Sequence, residues 1–71
     1  MDNRVEELRR QRGLSREAFA KAIRVSRQTV SSIENGRYNP SLDLAFVISD
    51  FFGLSVDEIF LHERSVFHEK E

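Results

Sequence analysis

The residues of this chain best suited to specific recognition chemistry stand close together: Arg27, Gln28, Thr29 and Ser32. An arginine can donate two hydrogen bonds to guanine O6 and N7, and a glutamine can pair with adenine N6 and N7. Threonine and serine are shorter and reach a thymine methyl, a base edge or a phosphate. Side chains used in this way must project from one rigid element, and the spacing predicts a helix over about 27–35. Val30 and Ile33 stand three apart on its inner side, with Val25 just before it. That leaves Arg27, Gln28, Thr29, Ser31 and Ser32 on the outer face. Ser26 precedes the run, where its oxygen can accept from the free N–H groups of the first turn.

A second helix is predicted immediately upstream. Ser15 opens it in the same manner, Phe19, Ala20 and Ile23 share one side, and Arg16, Glu17 and Lys21 stay outside. Only the residues around Ile23 to Ser26 separate the two helices, which suits the sharp crossing of a helix-turn-helix. Ala20 is small enough to let the two helices approach closely. In such a motif the start of the second helix enters the major groove of DNA. The chain therefore reads as a DNA-binding module with double-stranded DNA as its partner.

Leu14-Ser15, Glu17, Ala20, Val25-Ser26-Arg27-Gln28-Thr29-Val30-Ser31, Ile33-Glu34-Asn35-Gly36 and Pro40 resemble the helix-turn-helix of the phage-repressor and Cro-like family, also called the xenobiotic-response-element class. The resemblance covers about residues 4 to 61 and is closest to short, stand-alone members. It implies phosphate contacts at Arg16, Ser31, Asn35, Arg37, Tyr38 and Asn39; for Asn35 and Asn39 the competing role is capping or loop stabilisation. Arg16 begins the first helix of the motif, where side chain and terminal amides together suit a phosphate. Glu34 is out of place on a DNA-facing element, since a bare carboxylate there repels phosphate. The family pattern pairs it with an arginine at the position of Arg9, so a structural Arg9–Glu34 ion pair is expected. One departure concerns the turn, where the family usually has glycine and this chain has Arg24. A left-handed conformation at a non-glycine residue costs about 1 kcal/mol, and the fold is expected to survive it.

Charge distribution agrees with this reading although the net charge is −1. Residues 1 to 40 carry nine Lys/Arg and five Asp/Glu, whereas residues 41 to 71 carry two and seven. A basic half and an acidic half suit a protein that turns one end toward phosphates. There is no cysteine, hence no disulfide framework and no thiolate metal site. No apolar run is long enough for a bilayer, and Met1-Asp2-Asn3-Arg4 does not begin a signal peptide. A cytoplasmic protein without a membrane association is expected. His62 and His68, beside Glu63 and Glu69, match no recognised metal spacing and read as a solvated tail. With no nucleophile, glycine-rich phosphate loop or cofactor motif, neither an enzyme nor a small-molecule substrate is expected.

The remaining sequence has to position the motif. Helix one is predicted over about Asn3 to Arg12, burying Val5 and Leu8 and ending at Gly13. Proline closes the loop Arg37-Tyr38-Asn39-Pro40. Ser41 then caps a fourth helix whose apolar face holds Leu44, Ala45, Ile48, Phe51 and Phe52, and Gly53 ends it. Ser55-Val56-Asp57-Glu58 is a capping box opening a short fifth helix anchored by Ile59 and Phe60. The expected fold is all-α: a compact five-helix bundle over residues 1–61 with no strand, followed by a tail at 62–71. Apolar residues toward the end exceed what so small a core needs. A homodimer through Phe60, Leu61, Val66 and Phe67 is the expectation, with two recognition helices about 34 Å apart on a palindromic operator. The alternative is a protein-interaction module, such as an antitoxin with autoregulatory DNA binding, that uses the acidic half for another chain.

Overall fold

Four serines set the register of the molecule. In the computed structural model, which describes residues 2–61, each stands in extended backbone and accepts from the N–H three residues on. Ser15 caps α2 (Arg16–Ile23), Ser26 caps α3 (Arg27–Glu34), Ser41 caps α4 (Leu42–Phe52) and Ser55 caps α5 (Val56–Ile59). Each such oxygen satisfies one backbone donor that the first helical turn leaves free. At Ser55 the capping box is complete, because Glu58 also accepts from the Ser55 backbone N–H at 2.8 Å.

The first helix, α1 (Val5–Gln11), begins differently and later than its sequence suggests. Asp2–Asn3 form a short strand, β1, that pairs antiparallel with β2 (Phe60–Leu61), Asp2 opposite Leu61 and Asn3 opposite Phe60. The Arg4 N–H donates to the Ile59 carbonyl at 2.8 Å, and Asn3 Oδ1, one residue before the N-cap position of Arg4, accepts from Val5 N at 3.0 Å. The all-α architecture with five helices stands, but the expectation of no strand is corrected by this two-residue pair. Two residues carry no alternation to read; only the approach of the chain's distant ends creates the pairing.

The core lies where all five helices converge. Val5, Phe19, Val30, Ile33, Ile48 and Ile59 are fully enclosed, with Ala20, Ile23, Ala45 and Phe52 around them. Phe19 of α2 meets Phe51 and Phe52 of α4, each with ring centroids 5.3 Å away, and those two rings are edge-on to one another at 5.2 Å. Such aromatic pairs add to the burial of their area. Arg12 lies over both α4 rings and donates to the Phe51 and Phe52 carbonyls at 3.0 and 3.1 Å, so a cation closes the C-terminal end of α4. Gly53 then reverses the chain at φ 70°, a left-handed position natural to glycine. Phe60, expected at a dimer interface, is instead 4% exposed and belongs to the core. Alternation along β2 explains the difference: Phe60 turns inward and Leu61, 47% exposed, turns out. Val66 and Phe67, the other two residues assigned to that interface, lie outside the described residues, as do His62 and His68.

Candidate nucleic-acid interface

The crossing of α2 and α3 is made by small contacts and one unusual turn. Ala20 is 3% exposed, and the Val25 N–H donates back to its carbonyl at 2.9 Å. Arg24 ends α2 at φ 63° and ψ 47°, the left-handed conformation expected of the turn, and it is the only non-glycine residue with positive φ among the described residues. Cβ crowding there costs about 1 kcal/mol. The fold retains the turn despite it.

From this crossing α3 projects its polar row. Arg27 and Gln28 are exposed in its first turn. Ser31 and Ser32 are half-buried, and Ser32 contributes its carbonyl to the chain reversal by accepting from the Arg37 and Tyr38 N–H groups. Thr29 is also half-buried, and its hydroxyl is 2.9 Å from Ser26 Oγ, so it is engaged in the cap of its own helix. After α3, Asn35 Oδ1 accepts from Arg37 N at 3.2 Å, which makes Asn35 a loop-stabilising residue whatever else it touches. Arg37, Tyr38 and Asn39 are exposed beyond it.

Two depressions along α3 gather most of these polar side chains. An open groove of about 850 Å³ gathers Arg10, Arg16, Glu17, Arg27, Gln28 and Ser31. A shallower hollow of about 210 Å³ is lined by Ser26, Gln28, Thr29, Ser32 and Tyr38. Gln28 borders both. Asn39 parts from the others and borders an apolar hollow with Pro40, Leu42, Ala45, Val56 and Phe60. Tertiary structure thus joins Arg16 to Arg27, Gln28 and Ser31, joins Tyr38 to Thr29 and Ser32, and leaves Asn35, Arg37 and Asn39 outside both polar depressions.

An ion network fixes these elements. Glu34, 2% exposed in its side chain, accepts from Arg9 Nε at 2.7 Å and Nη2 at 3.3 Å. Arg9 Nη1 donates onward to the Leu14 carbonyl at 2.7 Å. The hydrogen bond to Glu34 raises the Arg9 pKa further above its ordinary value, so the guanidinium is charged throughout the physiological range. One side chain therefore ties α1, α3 and the segment before α2 together. Glu34 holds a second arginine as well: Arg16 Nε donates to Oε1 at 2.9 Å. Sequence reasoning assigned Arg16 to phosphate and did not anticipate this anchor. It also passed over Arg10, which pairs with Glu6 at 2.8 Å. The i, i+4 spacing on α1 was the available signal. No buried side-chain nitrogen or oxygen lacks a partner among the described residues.

Two helices crossing at a tight turn, the second presenting polar side chains beside clustered arginines, define a helix-turn-helix protein. The helix-turn-helix family matches residues 5–59. The chain belongs to that family, whose members are DNA-binding transcription regulators. It is 46% identical over 63 residues to an uncharacterized HTH-type transcriptional regulator of Methanocaldococcus jannaschii, covering 89% of this chain and 96% of the relative. A similarly described regulator of Archaeoglobus fulgidus is 36% identical over 70 residues, 99% of either chain. The uncharacterized HTH-type transcriptional regulator YgzD of Bacillus subtilis is 43% identical over 64 residues, 90% of this chain and 97% of its own. Among the described residues no helix is long and apolar enough to cross a membrane.

Proposed function

We propose that this chain is a sequence-specific repressor that acts in the cytoplasm and binds a palindromic operator as a homodimer. The observation that carries this reading is the polar row of α3 beside a groove lined by arginines, with α3 locked to α1 and α2 through buried Glu34. In the proposed complex the start of α3 lies in the major groove, where Arg27 reads guanine and Gln28 adenine. Thr29 and Ser32 supply shorter base contacts. Arg16, Ser31, Asn35, Arg37, Tyr38 and Asn39 hold the flanking phosphates, which set register but carry no sequence information.

The dimer is assigned to the acidic half. Leu42, Phe46, Val47 and Leu61 are all more than two-fifths exposed, an apolar surface that supports a partner there. The tail at 62–71, with Val66 and Phe67, is proposed to extend the interface. The same surface also favours the second reading, a module that docks on a different protein and keeps DNA binding for autoregulation.

Selection from a random duplex library separates the two. Wild type is expected to enrich a palindrome with half-sites about 10 base pairs apart. The Arg27→Ala/Gln28→Ala variant is expected to lose it. Enrichment of no sequence by the folded protein would overturn the operator reading and favour the protein partner.

A further inference from the structure

Glu6 stands beside two arginines of the groove, Arg10 and Arg16, whereas Glu17 is the carboxylate that lines the groove itself. Its Oε2 lies 2.8 Å from Arg10 Nη2 and 3.9 Å from Arg16 Nη2. Arg16 is held from the other side, where its Nε donates to buried Glu34 at 2.9 Å. That bond anchors one edge of the guanidinium and leaves Nη2 within ion-pair distance of Glu6. Arg10 and Arg16 both line the groove that also contains Arg27 and Gln28. A carboxylate paired in charge with two guanidinium groups stands where an anionic phosphate oxygen could be held by the same two groups.

We propose that Arg10 and Arg16 form a phosphate clamp beside α3, and that Glu6 occupies the clamp in the free protein until a DNA phosphate displaces it. The proposal rests on the DNA-binding reading above and adds to it a contact, Arg10, and an internal competitor, Glu6. Exchange is feasible because the Glu6 pairs are exposed: the side chains of Glu6 and Arg16 are 43% accessible and that of Arg10 is 69%. Exposed ion pairs are weak and screened. Glu34 holds the same Arg16 from a buried position, and removing a partner from a buried charge is costly. The two carboxylates thus divide the work, Glu34 fixing geometry and Glu6 setting occupancy. Phosphates are alike at every base step, so Glu6 lowers affinity for operator and non-operator DNA by the same factor.

The test is titration of a labelled random-sequence duplex with the full chain over a range of salt. Variants are Glu6→Gln, Glu7→Gln, Arg10→Ala and Glu6→Gln/Arg10→Ala. Glu7→Gln removes the same charge one residue away, where the carboxylate pairs with Arg4 at 3.2 Å. Glu6→Gln is expected to bind about two- to fivefold tighter at low salt, with a salt slope steeper by about one. Glu7→Gln should gain clearly less, and the Glu6→Gln gain should shrink in the Arg10→Ala background. Equal gains from Glu6→Gln and Glu7→Gln would reduce the effect to net charge and overturn the clamp. An undiminished gain without Arg10 would overturn it too. If folded wild type binds no duplex at any salt, the DNA-binding reading itself fails and takes the clamp with it. That failure is distinct, because in every other outcome wild type binds.

Discussion

The two halves of this molecule are fastened by different means. Around α3 an ionic fastening is added to the buried Val30 and Ile33: Glu34 is held by Arg9 and Arg16, and three segments of backbone meet at one guanidinium. Around α4 it is aromatic, with Phe19, Phe51 and Phe52 in mutual contact and Arg12 laid across the last two rings. The outer surfaces differ as well. α3 presents Arg27 and Gln28, whereas α4 leaves Leu42, Phe46 and Val47 exposed. Directional bonds fix where a polar side chain stands, as base reading requires, while ring packing supplies bulk cohesion and tolerates a neighbouring apolar surface. α3 is therefore positioned by charges as well as by its buried Val30 and Ile33, and α4 mainly by area.

Breaking the aromatic side should have the largest effect. Phe19 is fully enclosed, and Phe19→Ala is expected to cost about 3–5 kcal/mol. In a core this small that abolishes most of the cooperative transition in a urea titration followed by circular dichroism. A loss below about 1 kcal/mol would mean that α2 and α4 do not share the core described above. Breaking the ionic side should cost less. Arg9→Met is expected to lose about 3 kcal/mol, toward the lower end for a buried pair because Arg16 still faces Glu34. An unchanged melting temperature would remove the ion pair from the account of stability.

The smallest effect lies at the start of α5 and sharpens the comparison through pH. Glu58 accepts hydrogen bonds from Ser55, and these hold its pKa below the ordinary value of 4.5. Because the folded value is depressed, the stabilisation is fully present above about pH 4.5 and is lost as pH falls through the folded value. Glutamine can keep the capping box but does not titrate. The melting temperature of wild type relative to Glu58→Gln should thus be constant above that pH and fall below it. Parallel curves throughout acid would show that the carboxylate contributes nothing as an ion.

Much of this structure is legible in the chain because its signals are local. The serines at 15, 26, 41 and 55 announce four helix starts, since a cap needs only its own next three residues. The spacing of Phe19, Ala20 and Ile23, and of Val30 and Ile33, fixes which faces turn inward. The left-handed turn at Arg24 is legible only through the resemblance, since the family usually has glycine at that position. Where the reading fell short, the determining contact was distant. Phe60 looks like surplus apolar surface until β2 meets β1 across the length of the chain, which turns it into the core. The same pairing delays α1 to Val5.

The sequence by itself determined the helices, their buried faces and the polar row of α3, because side-chain period and capping act within a few residues. Only the tertiary structure decided how the charges are shared. Arg16 divides itself between Glu34 and Glu6, and the hydroxyls of Thr29 and Ser26 bond to one another. The reason is physical: helix periodicity depends on neighbours along the chain, but a guanidinium or hydroxyl bonds whichever acceptor the fold brings within about 3 Å.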